Sequence, residues 1–494
     1  MLQALSAADL TQPIRVSPDG HFLVEGDGSP FFWLGDTAWT IFTRLTREET
    51  EAYLKDRAVK GFNIIQAVAV DGPMEDFNAP NRYNDRPFLD GDLRRPNDAY
   101  FRHVDWVIER ARSYGIRVAL LPTWALAHIS LDRTKYDPIN AEAYGHWLGS
   151  RYRGSGVVWV LGGDTMPIFA APQPRRGDSK PGEPLFKVPV TVVDDRPIYD
   201  AMAKGIEEGF GADAFITFHP AHFNFSGVAE GRTSRFFFDR AYLDMNMLQS
   251  AHFKDPRDHM KSIGAEQSLI ASLSYHYVRE EYDSIPTRPI IDGEARFEDL
   301  AIDLKPDASR GIWSGYDTRV AAYQDVFAGA AGHTYGNHAI WQFYDADVSR
   351  KYQLPPEIDW KAGLKRPVSK HFQFLKALML SRPYFIRIPD QSLVVGETGG
   401  GPAHIGATRG KDGSYVMIYL PQGQAVTVDL TKLSGLHAIG WWFDPRAGVA
   451  TRIEGQFATN ARATFSPPSQ GAERDWVLVV DDEKKGFGVP GAAY

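Results

Sequence analysis

The chain contains no cysteine. Disulfides, thiolate nucleophiles, cysteine-bound zinc and iron–sulfur clusters are therefore excluded, although the compartment stays open because periplasmic proteins can also lack cysteine. No apolar run approaches the roughly 20 residues that a membrane-crossing helix needs. Long basic runs are missing too: 54 Lys and Arg stand against 62 Asp and Glu, a net charge of −8. A nucleic-acid partner is not expected from such a charge distribution, nor is a membrane partner. Met1 to Thr11 lack a basic start followed by an apolar stretch, so no secretory signal is read. Taken as it stands the chain is expected in the cytoplasm, and in the periplasm or outside the cell only if a leader has been removed. No G-x-G-x-x-G or G-x-x-x-x-G-K-[ST] opens a helix, and no G-x-S-x-G elbow occurs, so neither a phosphate cradle nor a serine triad is read.

What is present is length and aromatic content. The 494 residues exceed one ordinary core and imply two or three domains. Aromatics reach 13%, with 12 Trp, 21 Tyr and 29 Phe. From about residue 30 to 345, short apolar runs bounded by Gly, Pro or Asp alternate with helical patterns. The strand candidates are 31–34, 63–68, 117–121, 157–161, 215–218, 243–248, 289–292 and 332–335. Between them Thr46-x-x-Glu49 forms a capping box, Asp98 and Asn140 can cap helices, Pro197 suits a first helical turn, and 318–331 is Ala-rich. Alternating units of this number predict a (β/α)8 barrel over 31–383. The segment 167–195, rich in Pro, Gly and charge, predicts a long loop after the fourth strand. After Pro383 the runs 392–395, 404–407, 415–419, 425–428, 438–442 and 476–480, separated by turns, predict an all-β sandwich over 384–494. Residues 1–30 are expected to form a β segment packed on the barrel or on the sandwich.

In a barrel of this kind chemistry sits where the strands end. The residues there are Asp36 and Trp39, Trp124 and His128, Asp164, His219 and His222, Gln249 and His252, Glu294, and then His333, Tyr335, His338 and Trp341. Asp164 and Glu294 stand out, each beside a glycine that lets the chain turn sharply and a ligand come close. Two acids across a barrel mouth can cleave a glycosidic bond, one protonating the leaving oxygen while the other attacks the anomeric carbon or activates a water. Each acid could instead cap the next helix or pair with a neighbour such as Arg296. Trp39, Trp124 and Trp341 could stack on sugar faces or simply pack the core. His219-x-x-His222 has metal-ligand spacing, but further ligands such as a His pair at strand one are missing. No metal and no cofactor is expected. Three functions remain open: a glycosidase, a carbohydrate-binding protein without catalysis, and a metal-dependent barrel hydrolase using His219 and His222.

A set of motifs narrows this. Phe32-Trp33-Leu34-Gly35-Asp36-Thr37-Ala38-Trp39, Gly61-Phe62-Asn63, Val158-Trp159-Val160-Leu161-Gly162-Gly163-Asp164 and Asp292-Gly293-Glu294 resemble the apiosidase-like glycoside hydrolases. Trp442-Phe443-Asp444-Pro445-Arg446-Ala447-Gly448 resembles the collagen-binding-like β-sandwich that comes after the barrel in that family. The resemblance covers most of the chain. It implies a retaining glycosidase acting on a plant-wall or microbial glycan, in a family whose assigned members release apiose from rhamnogalacturonan II. Carried over by motif, Asp164 is the acid/base and Glu294 the nucleophile. Larger relatives with this barrel usually end strand four in Asn-Glu; Gly163-Asp164 replaces that pair here and draws the carboxyl back by about one methylene. Around the acids, Asp36, Trp39, Trp124, His128, His219, Gln249, His252, His333, Tyr335 and Trp341 are the expected substrate-binding residues. The partner expected is a carbohydrate substrate, with the oligomeric state left open.

Overall fold

The computed structural model describes residues 9–70, 76–174, 186–211, 213–224, 231–254, 267–268, 271–304, 309–348, 352 and 354–492. Parallel strands Trp33–Thr37, Ile64–Val68, Arg117–Leu121, Val158–Thr165, Ile216–Pro220 and Gly332–Tyr335 form one sheet. Asn246–Leu248 and Ile290–Asp292 pair in parallel and fill the remaining gap. Thr217 bridges to Met245 on one side, and the Ala331 N–H donates to Ile290 O at 2.9 Å on the other. The curled sheet thus closes as the expected (β/α)8 barrel.

The near-continuous apolar strands have two buried faces. Along the second strand Ile64 and Val68 point into the barrel with Trp33, Val160 and Met247, while Ile65 and Ala67 point out to the helical layer with Tyr53 and Val104. This alternation also decides which strand-end residues reach the mouth.

Three sequence expectations need correction. The first barrel strand is Trp33–Thr37, not 31–34. Pro30–Phe31 instead joins Leu23–Val24 and Arg15–Val16 in a small antiparallel sheet. That sheet is tied to the barrel by the partly buried Glu25–Arg117 ion pair at 2.5 Å. The second correction concerns 167–195. Ile168–Pro174 and Phe186–Asp194 pair as an antiparallel ribbon, and 175–185 lies outside the described residues. The β-branched run Thr191-Val192-Val193 carried that signal, which the Pro/Gly content of the segment masked. Third, two helix caps shift: helix Asp98–Ser113 is capped by Asn97 rather than Asp98, and helix Pro138–Arg151 by Asp137, with Asn140 closing a capping box rather than providing the cap.

Beyond the barrel, a six-stranded antiparallel path running from Arg387–Pro389 to Val449–Arg452 faces a three-stranded sheet of Val394–Val395, Val426–Asp429 and Arg462–Phe465. Leu393, Ile418, Val428, Leu478 and Val480 lie in the apolar layer between them. This is the expected sandwich. It packs on the flank of the barrel through helix Gly315–Ala328, where Tyr323 stacks on Tyr419 at 4.8 Å. Arg319 makes a two-point ion pair with Asp475 at 2.8 and 2.7 Å, almost fully buried. Asp475→Asn leaves the Arg319 charge buried without its counter-charge and should cost about 3–5 kcal/mol of stability. Denaturant unfolding checks this; an unchanged midpoint would mean that the pair does not hold the seam.

Candidate active site

Asp164 reaches the mouth because the fourth strand ends in a backbone that only small residues permit. Gly162 and Gly163 have φ of 88° and 112°. A Cβ on Gly162 would meet His219 O at 2.4 Å, and one on Gly163 would meet the Trp124 ring at 2.9 Å. Asp164 itself has φ 51°, a left-handed conformation that a non-glycine residue holds only when its surroundings impose it. Gln249, just past the sixth strand, donates from Nε2 to Asp164 Oδ1 at 2.7 Å. Burial, and then the negative charge of Glu294, push the Asp164 carboxyl up to about 6; His219 and Gln249 oppose the rise.

Glu294 lies just past the seventh strand and is 5% exposed. Its Oε1 is hydrogen-bonded to His252 Nε2 at 3.1 Å, and His219 Nε2 stands 3.3 Å from Oε2. Burial alone would raise this carboxyl, but the two imidazoles outweigh it and hold it down at about 2. The Asp164 N–H donates to His219 Nδ1 at 3.5 Å. With Nδ1 accepting, the His219 proton lies on Nε2, toward Glu294. Glu294 does not pair with Arg296, whose guanidinium donates to Ala271 O and Asp317 O.

The two acids line one pocket of about 70 Å³, with Trp39, Trp124, Trp341, His222, Gln249, His252 and His338. Trp39 and Trp124 pack against each other at 5.1 Å and against the His219 ring behind them. A larger cavity of about 360 Å³ lies at the seam with the sandwich, beside Tyr275 and His404. Among the described residues the one acid lining it, Asp390, is already bound to Arg409 at 2.6 Å, so no pair of described acids meets there.

Of the expected substrate-binding residues, Trp39, Trp124, Gln249, His252 and Trp341 line the pocket. The other five do not. Asp36 points outward from the first strand, accepting from Tyr53 Oη at 2.6 Å and Arg57 Nε at 2.5 Å. His333 and Tyr335 share the outward parity of the eighth strand: His333 stacks on Phe372, and Tyr335 donates to Glu298 Oε2 at 2.5 Å. His128 packs against Phe77 in the turn after the third strand. His219 is fully buried behind the pocket and acts on it from there, through Glu294 and through the Asp164 N–H.

His219 and His222 also part ways, since His222 stacks flat on Phe253 at 4.6 Å. Among the described residues no group of three histidines or acids is arranged to hold a metal.

Sequence reasoning missed Phe297, Leu300, Leu304 and Leu354, which give the pocket an apolar wall. Apolar residues in loops carry no chemical signal. Leu304 and Leu354 take φ of 54° and 46°, which no sequence pattern announces.

The profile described as "Apiosidase-like, catalytic domain" matches residues 17–386. One described as "Putative collagen-binding domain of a collagenase" matches 388–481. Among solved structures, one titled a glycoside hydrolase is 28% identical, with a TM-score of 0.82 over 97% of this chain and 99% of its own. A glycoside hydrolase family 5 structure from Bacteroides vulgatus is also 28% identical, with a TM-score of 0.80 over 98% and 96% of the two chains. No curated protein matches.

Proposed function

Because the chain belongs to the apiosidase-like glycoside hydrolase family, we propose that Asp164 and Glu294 cleave a glycosidic bond by double displacement, with retention of anomeric configuration. The carrying observation is that two acids line one pocket whose burial and charges shift their proton affinities in opposite directions, Asp164 upward to about 6 and Glu294 downward to about 2. One is thereby suited to donate a proton and the other to attack.

In the first step Glu294 attacks the anomeric carbon. Asp164 passes its proton to the departing oxygen, and a covalent glycosyl ester forms. The negative charge leaving Glu294 lowers the proton affinity of Asp164. Asp164 can then take a proton from water, which attacks the ester and restores both acids. Trp39, Trp124 and Trp341 bound the sugar, and Gln249 and His252 orient the acids. The substrate class we propose is a plant-wall or microbial glycan, with apiose-bearing branches the first to be tried. In this reading catalysis resides in 31–383, and the sandwich at 384–494 braces the barrel.

The proton donor sets the pH response. Raising the pH through about 6 deprotonates Asp164 and removes the donor, while Glu294 stays ionised at every pH above about 2. Hydrolysis should therefore be fastest in mild acid and kcat/KM should fall about tenfold per unit above the limb. A profile flat to pH 9 would contradict the role of Asp164. A screen of aryl glycosides and plant-wall oligosaccharides identifies the sugar, and proton NMR of the first-formed anomer reads the stereochemistry. Inversion would overturn the double displacement.

A further inference from the structure

Gln249 and His252, which hold the two acids, lie in one short turn after the sixth barrel strand. That turn is itself held by a third acid. Asp292, the last residue of the seventh strand, is completely buried and does not line the pocket. Its carboxylate accepts twice from Ser250: Oγ to Oδ2 at 2.5 Å and N–H to Oδ1 at 3.2 Å. Backbone bonds stitch the same two segments together, Gly293 N–H to Leu248 O at 2.8 Å and Ala251 N–H to Glu294 O at 3.0 Å. Ala251 has φ 52°, a conformation its neighbours must impose.

We propose that Asp292 is a positioning residue: by gripping Ser250 it sets the turn from which Gln249 reaches Asp164 and His252 reaches Glu294. The inference rests on the acid-and-nucleophile reading above. Ser250 adjoins Gln249 in sequence and is fully buried, so a rotation of its backbone carries the Gln249 amide with it. A carboxylate suits the task better than an amide. It accepts at both oxygens, and Ser250 offers a donor to each. Among the described residues the other titratable groups about Asp292 are Glu294, Arg296 in the next turn, and Asp325 from helix Gly315–Ala328, whose carboxyl burial pushes well up.

The test is a double-variant cycle on the full chain, reading the alkaline limb of kcat/KM with the 4-nitrophenyl glycoside hydrolysed fastest in the screen. The Gln249 bond lowers the proton affinity of Asp164, so Gln249→Leu should move the limb to higher pH, by roughly half a unit to one unit. Ser250→Ala, which touches neither acid, should move it the same way. The two together should move it by clearly less than the sum of the single shifts, because Ser250 acts on Asp164 mainly through Gln249 and only secondarily through His252 and Glu294. Additive shifts, or a Ser250→Ala limb that coincides with the native one, would overturn the inference. If Ser250→Ala does not fold, Asp292→Asn takes its place in the cycle with the same expected order. Carboxyl 13C NMR of the Asp164 titration, assigned with Asp164→Asn, gives the same reading without a substrate. The two readings fail separately: full activity in Glu294→Gln sinks the nucleophile assignment, whereas an inactive Glu294→Gln with an unmoved Ser250→Ala limb sinks only the clamp.

Discussion

Glu294→Gln should lower kcat/KM by about 10⁴-fold or more while the thermal unfolding profile stays near native. The amide keeps the shape and the volume, and its oxygen can still meet His252. What it loses is the negative charge that attacks the anomeric carbon. The charge is well defined in the native chain because two imidazoles lie within 3.3 Å of it. A second variant sharpens the test. Glu294→Ala opens space on the face that the nucleophile occupied, and azide supplied in solution can attack there in its place. The expected product is a glycosyl azide of inverted configuration, formed once because no second displacement takes place. Native-like turnover by Glu294→Gln would end the case for this residue.

Asp164→Asn should have the second-largest effect, and its size should depend on the leaving group. For a sugar leaving group, which needs a proton, the loss should be about 10²–10⁴-fold. For an aryl group that departs readily as an anion, the first step should be much less impaired. The asparagine oxygen can still accept from Gln249, so the geometry is kept while the proton is removed. The alkaline limb near pH 6 should disappear with the group that causes it. A uniform loss across leaving groups, or an intact limb, would mean that another group donates the proton.

Much of the frame was legible from local pattern. Strands two, three and seven were located within a residue, because glycine, proline and aspartate punctuate them and their apolar runs are short. The motif Gly162-Gly163-Asp164 was informative for a definite reason: two close backbone approaches, to His219 O and to the Trp124 ring, tolerate only glycine. The ribbon at Ile168–Pro174 and Phe186–Asp194 was misread because composition outweighed a short β-branched run.

The membership of the site was less legible, and strand parity explains the main errors. Asp36, His333 and Tyr335 occupy strand-end positions, yet their side chains face the helices. There Arg57, Phe372 and Glu298 receive them. A parallel strand buried on both faces lacks the polar alternation that would reveal which residues point inward. The turn at Gln249–His252 was equally hidden, since its shape depends on Asp292 and Ser250 meeting across neighbouring strands.

The residue order alone determined that this chain is a strand–helix repeat closed by a sandwich, and that positions 164 and 294 carry acids beside sharp turns. Those properties arise from periodicity and from the conformational range of glycine, which act over a few residues. Only the tertiary structure decided that one acid is driven toward its neutral form and the other toward its ionised form. Proton affinity is set by burial and by charges that strands four, five, six and seven bring together, and no single segment of the chain contains that environment.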